Sequence, residues 1–472
     1  MVCKRELALM SHLMRRAGFG ANRDELEQRV KIGYEETVED LINVDRFPPV
    51  DEYLLYRYHP ISEMPGGIAD LGQANWFYHM LNTQRPLEEK MALFWHHLFA
   101  TANNKVDNCT ELLNQIDLFR INGMGNFRDL LSRVAKNPAM IFWLDNNENH
   151  KTSVNENWGR ELLELFSVGV GNYTEEDVYE CSRAFTGWTF RPGPPRFPYN
   201  RFKFTFRYKP EDHDSGQKNF LGHRDDLNGE DCLDIIISQP ACARFIARHL
   251  YNFFVADEAQ VPSWIVEPVR DPAAIDILAQ SLIEFDFEIK PVLRILFNSD
   301  FFKSDSVMFQ KVKSPVEVVI STLNLVGEFQ GPTPGLFEIV HSPGYAGQEL
   351  LDPPSVEGWH TGQEWINSGA LVQRINFVAD RVRDVKLPGV IDMVRRVAQS
   401  NGVTMSASEM VDKCLDLMGP MEVEDITRDQ IIKQVEKEGL VSWDTAGDFS
   451  KSASRVGNTL ALIAATKEYQ FG

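Results

Sequence analysis

Residues 87–102 read LEEKMALFWHHLFATA, and this stretch decides the fold. Apolar side chains recur along it at helical spacing, at Met91, Phe94, Trp95, Leu98 and Phe99. Pro86 precedes the stretch in the position where a proline favours the first turn of a helix. The apolar face is unusually wide for a surface helix, so the pattern predicts a helix surrounded by other helices.

The same spacing continues outward along the chain. Residues 155–168 repeat it and stop at Gly169 and Gly171, and Thr174 with Asp177 forms a variant capping box that opens the next helix. Further helical spacing covers 231–254, 271–302, 312–327 and 456–465.

One segment has the two-residue period of a strand. Phe202, Phe204, Phe206 and Tyr208 alternate with polar residues, which predicts a small hairpin or sheet lying on the helices with Lys203 and Arg207 exposed. Residues 343–369, rich in Gly, Pro and Trp, are typical of a structured loop.

The predicted fold is therefore mainly α: a large multi-helix domain with a small β-hairpin or sheet near residues 200–210. Residues 1–400 are predicted to form the helical core domain. Residues 401–472 are predicted to be a polar variable subregion whose terminal helix returns to the core.

Composition excludes several classes of protein. The 68 acidic and 48 basic residues give a formal charge of −20, which disfavours sequence-independent nucleic-acid binding. The six cysteines lack C-x-x-C spacing, so neither a disulfide framework nor a zinc ribbon is indicated. No signal peptide is predicted, because the residues after Arg15 and Arg16 are charged, and no apolar run approaches the roughly 20 residues of a membrane span.

A polar stripe on the helix predicted at 155–168 is the first candidate site. Helical geometry puts Asn157, Glu161 and Glu164 on one face, at the edge of the apolar side. A partly buried pair of carboxylates resists double ionisation, which suits acid and base catalysis or a metal. The alternative is that both carboxylates pair with arginines such as Arg160 or Arg183 and hold helices together.

Histidines supply the next candidates. At least one of His96 and His97 must be buried in so apolar a helix, and His97 is expected to be the inward one, either as a site residue or as a hydrogen-bonded core histidine. His213 and Asp214 follow the predicted strand and suit ligation or a base with its anchor, or else an Asx-type turn before Gly216.

Three further residues are candidates for substrate binding. Arg183 and Lys218 could orient an anionic or hydroxylated substrate. Trp359, with Trp365, is expected to be exposed for ring stacking on a sugar, unless these side chains simply pin their loop to the helices. No G-x-S-x-G, Walker or H-E-x-x-H motif is present.

Six strings, ordered along the chain, resemble one known family. They are HLMRRAGFG (12–20), FWHHLF (94–99), ENWGRELLEL (156–165), AFTGWT (184–189), HD with K and FLG (213–222), and PPSVEGW (353–359). The chain resembles the domain-of-unknown-function 1800 family through these strings. The resemblance implies a mainly helical bacterial protein without an established activity, whose relatives are often exported and often encoded near a second, sulfatase-like family.

These observations lead to two expectations about function. The first is a hydrolase-like or lyase-like enzyme, with a divalent metal as one compatible cofactor, in which Glu161, Glu164, His97, His213 and Asp214 form the site. The second is a non-catalytic binding or assembly protein that recognises a polysaccharide or a protein partner encoded nearby.

Overall fold

The computed structural model describes residues 4–58, 68–191, 204–259, 267–399, 404–439, 441–443 and 446–472. Helices dominate these residues, and the strands among them form small two-stranded antiparallel sheets. The prediction of a mainly α fold with a small hairpin is confirmed. Its N-terminal helices are α1 Lys4–Arg16, α2 Arg23–Ile32, α3 Tyr34–Ile42, α4 Glu52–Tyr58, α5 Ile68–Asn82, α6 Pro86–Leu98, α7 Asn103–Val106, α8 Cys109–Asn122, α9 Phe127–Ala135 and α10 Pro138–Trp143.

The remaining helices are α11 Asn157–Glu164, α12 Glu175–Ala184, α13 Gly229–Ile237, α14 Pro240–Phe254, α15 Pro272–Glu284, α16 Ile289–Asn298, α17 Asp300–Lys303, α18 Pro315–Val326, α19 Leu336–Ile339, α20 Ser342–Tyr345, α21 Ser368–Arg383, α22 Pro388–Gln399, α23 Ala407–Leu417, α24 Asp425–Glu436 and α25 Ala446–Ala464. Two long predicted helices are in fact divided. Pro240 begins a new helix within 231–254, and the left-handed residues Asp286 and Phe287 (φ 49° and 59°) interrupt 271–302.

The central helix α6 is enclosed as predicted. Leu87, Met91 and Phe94 are buried, and the ring of Trp95 stacks against those of Phe99 and Phe127. The helix ends at Leu98, four residues before the predicted end.

Helix α11 is shorter than its sequence pattern suggested. It ends at Glu164 rather than at Val168, because the chain turns back through Gly169, which has a φ of +77° and donates its N–H to the carbonyl oxygen of Leu163. The predicted capping box of α12 is present between Thr174 and Asp177.

The predicted strand pairs with a strand that the sequence pattern missed. Strands β1 Trp188–Arg191 and β2 Thr205–Tyr208 are antiparallel, with Phe190 opposite Phe206. Arg207 is exposed as predicted, whereas Phe202 and Lys203 lie outside the described residues. The aromatic face is only partly covered, because Tyr208 at its end is 42% exposed.

Two other short hairpins lacked a sequence signal. They are β3 Lys218–Phe220 with β4 His223–Asp225, and β5 Thr404–Met405 with β6 Val441–Ser442. Strands of two or three residues are too short to show a period of two, so the pattern could not reveal them.

Two apolar clusters hold the helices together. The larger includes α6, α11 and α14, and the smaller joins α21, α22, α23 and α25. Helix α18 belongs to both, since Ile320 and Leu323 enter the larger cluster while Val318 and Val326 enter the smaller. The division of the chain at residue 400 stays a prediction.

Among the residues that the structure describes, every helix is too short or too polar to cross a lipid bilayer.

Candidate functional site

Helix α11 holds two carboxylates beside the apolar face that fixes it in the core. Trp158, Leu162 and Leu163 are buried. The helix approaches α12 closely at Gly159, where a Cβ atom would collide with the hydroxyl of Ser182. Glu161 and Glu164, three residues apart on one face, are therefore held side by side and are half-buried.

Glu161 is the unusual member of the pair. Burial, helped by the nearby charges of Glu164 and Glu357 and opposed by that of Arg160, raises the pKa of its carboxyl to about 7. Within the described residues the Glu161 carboxyl has no hydrogen-bond or ion-pair partner. A carboxyl in this state exchanges a proton near neutral pH.

Glu164 has a defined partner. The hydroxyl of Tyr173 donates a hydrogen bond of 2.9 Å to Glu164 Oε2. Burial and this bond raise the pKa of Tyr173, so the phenol keeps its proton and remains a donor. Glu164 is thereby oriented next to Glu161.

The arginines expected in the alternative interpretation are bound elsewhere. Arg160 donates to Glu175 (2.7 and 2.9 Å) and to Glu156 (3.3 Å), on the outer side of α11. Arg183 binds Asp214 and Glu180. Neither guanidinium forms an ion pair with Glu161.

His213 and Asp214 belong to a different group, which holds their loop against α12. Asp214 accepts two hydrogen bonds from Arg183 (2.7 and 3.1 Å), and this ion pair lowers the pKa of Asp214. His213 Nδ1 lies 2.9 Å from the carbonyl oxygen of Thr186. Asp214 also accepts from the N–H of Gly216, and this bond forms the Asx-type turn that was the alternative prediction for this loop.

Lys218 and Asn157, two of the proposed substrate contacts, also lie in different places. Lys218 is buried, and its ammonium donates to the carbonyl oxygen of Gly216 (3.0 Å) and lies 3.4 Å from Asp226. Asn157 begins α11 and is half-buried on the side of the two carboxylates. Only Asn157 shares an element with Glu161.

The expected orientation of the histidine pair is wrong. His96 is fully buried between Trp76 and Trp359 (ring centroids 5.4 Å apart in both contacts), whereas His97 is half-buried. The reason is that α6 is apolar on nearly every side, so the inward direction could not be read from its neighbours. Burial lowers the pKa values of His96 and His97 to about 3 and about 4, so both are neutral.

The expectation of exposed tryptophans is also wrong. Trp359 and Trp365 are 2% and 6% exposed. The ring of Trp359 lies parallel to that of His97, with centroids 6.3 Å apart. The loop is pinned to the helices by these rings, so Trp359 offers no free face for stacking on a sugar.

The pinned loop brings together residues far apart in the sequence. Gly358, with a φ of +81°, lies so close to α6 that a Cβ atom would collide with the carbonyl oxygen of His97. The preceding residue, Glu357, is near enough for its charge to act on Glu161. The loop therefore lies between His97 and the carboxylates of α11.

Sequence reasoning missed Glu357 and Tyr173. Glu357 stands in the PPSVEGW string, and Tyr173 just precedes the capping box of α12, but neither position has a local signal for chemistry. Their roles depend on tertiary contacts.

No preassembled metal site is evident in the described part of the chain, because no three side chains of His, Cys, Asp or Glu are grouped as a metal requires. Five cysteines there, Cys109, Cys181, Cys232, Cys242 and Cys414, are buried free thiols.

Comparison with known proteins adds a family but no activity. A family model described as Protein of unknown function (DUF1800) matches residues 12–471. No curated protein and no solved structure matches the chain. The match includes α6, α11, the hairpin and the tryptophan loop together.

Proposed function

We propose that this chain, which belongs to the DUF1800 family of proteins of unknown function, is an enzyme that exchanges protons between Glu161, Glu164 and a substrate. The proposal covers hydrolase-like and lyase-like reactions, because both need one group that gives a proton and one that accepts it. The observation that carries it is the unpartnered Glu161 carboxyl, whose pKa is raised to about 7 beside a second carboxylate.

In this proposal Glu161 is the general acid and Glu164 is the general base, because their surroundings differ. In hydrolysis, protonated Glu161 gives its proton to the oxygen of the leaving group while the bond from that oxygen to carbon breaks. Glu164 takes a proton from the attacking water, whose hydroxyl adds to the carbon. A proton then passes from Glu164 back to Glu161 through solvent, which restores both groups.

The charge at the site favours a neutral substrate. Glu164 and Glu357 add negative charge beside Glu161, and Arg160, whose charge opposes theirs, is paired with Glu175 and Glu156. Arg183 and Lys218, the cations expected to orient an anionic or hydroxylated substrate, contact Asp214 and Asp226 instead. An anionic substrate would be repelled. A neutral, hydroxyl-rich molecule such as a polysaccharide meets the carboxylates with hydrogen-bond donors.

The alternative is a binding or assembly protein whose polar groups are structural. Arg183 with Asp214 fits that description, because both partners satisfy each other. Glu161 does not, since a structural carboxylate would be expected to keep a donor or a cation. This contrast favours the enzyme.

The test is a screen of neutral polysaccharides and small esters with the full chain, accompanied by metal analysis of the purified protein. We expect conversion of at least one neutral substrate. Glu161→Gln should lower kcat by about 100-fold or more, which is the usual contribution of a positioned acid or base.

Glu156→Gln is the matched control. Glu156 precedes α11 and pairs with Arg160 at the surface, so its amide should leave turnover unchanged. Turnover that survives in Glu161→Gln would contradict the assigned role. Absence of turnover on every neutral substrate, together with an ordinary pKa of Glu161, would favour the binding protein.

A further inference from the structure

A pocket lies at the first helix of the chain, and its lining does not include the α11 carboxylates. Its cavity volume is about 60 Å³, and the cavity opens to solvent. We define it as the cationic pocket, and its polar lining consists of Ser11, Arg15, Arg16, Lys313, Glu317, Ser321 and Tyr469. None of these residues belongs to the site described above.

The cations of this pocket contact only neutral groups. Arg15 donates to the hydroxyl of Ser11 (2.6 Å) and the carbonyl oxygen of Gly419 (2.9 Å). Arg16 donates to the carbonyl oxygen of Val307 (3.2 Å), and its Nε is buried without a partner among the described residues.

Two further cations extend the group. Lys313 donates to the carbonyl oxygen of Tyr469 (2.8 Å) and lies over its ring. Arg374, next to Lys313, donates to the carbonyl oxygen of Lys313 (2.7 Å) and to Gln470 (3.0 Å), while its Nη1 is buried without a partner in the described part of the chain.

The nearest carboxylates, Glu317 and Asp257, act on these cations from a distance but form their ion pairs with other residues. Glu317 forms its ion pair with Lys90, and its other oxygen accepts from the N–H of Ser314 (2.7 Å). Asp257 is likewise bound by Lys311 (2.9 Å). Arg15, Arg16, Lys313 and Arg374 therefore have no carboxylate within ion-pair distance among the described residues.

Arg16 and Arg374 are buried, and Arg15 and Lys313 are half-buried. A cation withdrawn from water without an ion-pair partner is costly, so this arrangement favours a bound anion. Burial lowers the pKa of Arg15 to about 9 and that of Arg16 to about 10, and it lowers the pKa of Lys313 as well. The chain as a whole carries a formal charge of −20, so a general excess of basic residues does not explain the group.

We propose that the cationic pocket binds a multiply charged oxyanion, a phosphate or sulfate group that is either free or carried by a small organic molecule. Guanidinium groups bind such oxyanions through paired hydrogen bonds, and the unused Nε of Arg16 is a donor of this kind. The apolar part of the lining, Phe19, Ala21, Leu325 and Met418, suits an organic portion.

The experiment measures thermal unfolding and calorimetric binding of the full chain with inorganic phosphate and with inorganic sulfate. Sodium chloride at matched ionic strength is the reference, because it screens charge without offering an oxyanion. We expect a saturable rise in Tm and measurable heat with phosphate, with sulfate or with both. The anion that binds more tightly, phosphate or sulfate, identifies the oxyanion that the pocket prefers.

Variants locate the binding. Arg15→Gln and Lys313→Met should each weaken it at least about tenfold, the effect of losing one charge-assisted hydrogen bond. Arg5→Gln is the matched control, because Arg5 lies on the same helix but is 77% exposed.

Lys313→Met also shows whether weaker binding results merely from a loss of stability. The variant removes a cation that lacks an ion-pair partner but also loses the hydrogen bond to the carbonyl oxygen of Tyr469, so its Tm in chloride should stay close to that of the wild type. Equal effects of chloride and both oxyanions would overturn the proposal. So would wild-type affinity in both pocket variants.

Discussion

At the scale of single residues, two carboxylates, Asp214 and Glu161, have opposite surroundings. Asp214 lies against Arg183, which lowers its pKa, whereas Glu161 lies against other carboxylates and the core, which raises its pKa to about 7. The same side-chain chemistry therefore serves structure at one position and is available for proton transfer at the other.

This difference predicts opposite effects of two amide substitutions on stability. Because Glu161 binds its proton more tightly in the folded state, the wild type loses stability as pH rises from about 4.5 through 7. Glu161→Gln avoids that loss and should be more stable at pH 8 by about 1 to 2 kcal/mol, allowing for the solvent that reaches the carboxyl. The two proteins should converge below pH 4.5.

Asp214→Asn is the comparison variant in the same denaturation series. Its carboxylate contributes stability above its unfolded pKa and loses it as pH falls, so the variant should be less stable at pH 8 and approach the wild type in acid. A Glu161→Gln variant that behaves like Asp214→Asn would show that Glu161 is a structural group.

At the scale of elements, the sequence predicted those features that depend only on neighbouring residues. The capping box of Thr174 and Asp177 and the side-by-side placement of Glu161 and Glu164 depend on a few neighbouring residues, and both were predictable. The approach of Glu357 and the burial of Trp359 depend on how a distant loop docks on α6, which no spacing encodes.

The docked loop gives a prediction of its own. Gly358→Ala should lower the free energy of unfolding by about 2 kcal/mol or more, because the added Cβ collides with α6 at a residue with left-handed φ. Gly347→Ala is the matched control: its φ is +99° but nothing lies near its Cβ, so it should cost about 1 kcal/mol through backbone strain alone. Equal losses in urea unfolding would mean that the loop does not press on His97.

At the scale of the whole molecule, helix α18 links the two apolar clusters. Adjoining sides of this helix enter the two clusters, so loss of the helix would expose apolar surface in both. We therefore expect the two clusters to unfold in one transition, although the sequence pattern suggested a division near residue 400.

Leu460→Ala tests this expectation. Leu460 is fully buried in the smaller cluster, so the substitution should cost about 2 to 5 kcal/mol. Tryptophan fluorescence, which includes Trp95 and Trp158 of the larger cluster, should lose its native signal at the same lowered denaturant midpoint as the circular dichroism. Separate midpoints would show that residues beyond 400 unfold independently.

The most direct test of the central claim is the titration of Glu161 itself. Carbon-13 NMR of the full chain with labelled glutamate, assigned by the signal lost in Glu161→Gln, measures the pKa of this carboxyl without a substrate. We predict a pKa near 7 that falls in Glu164→Gln, because the amide removes the neighbouring negative charge. A pKa near 4.5 that is unchanged in Glu164→Gln would contradict the account.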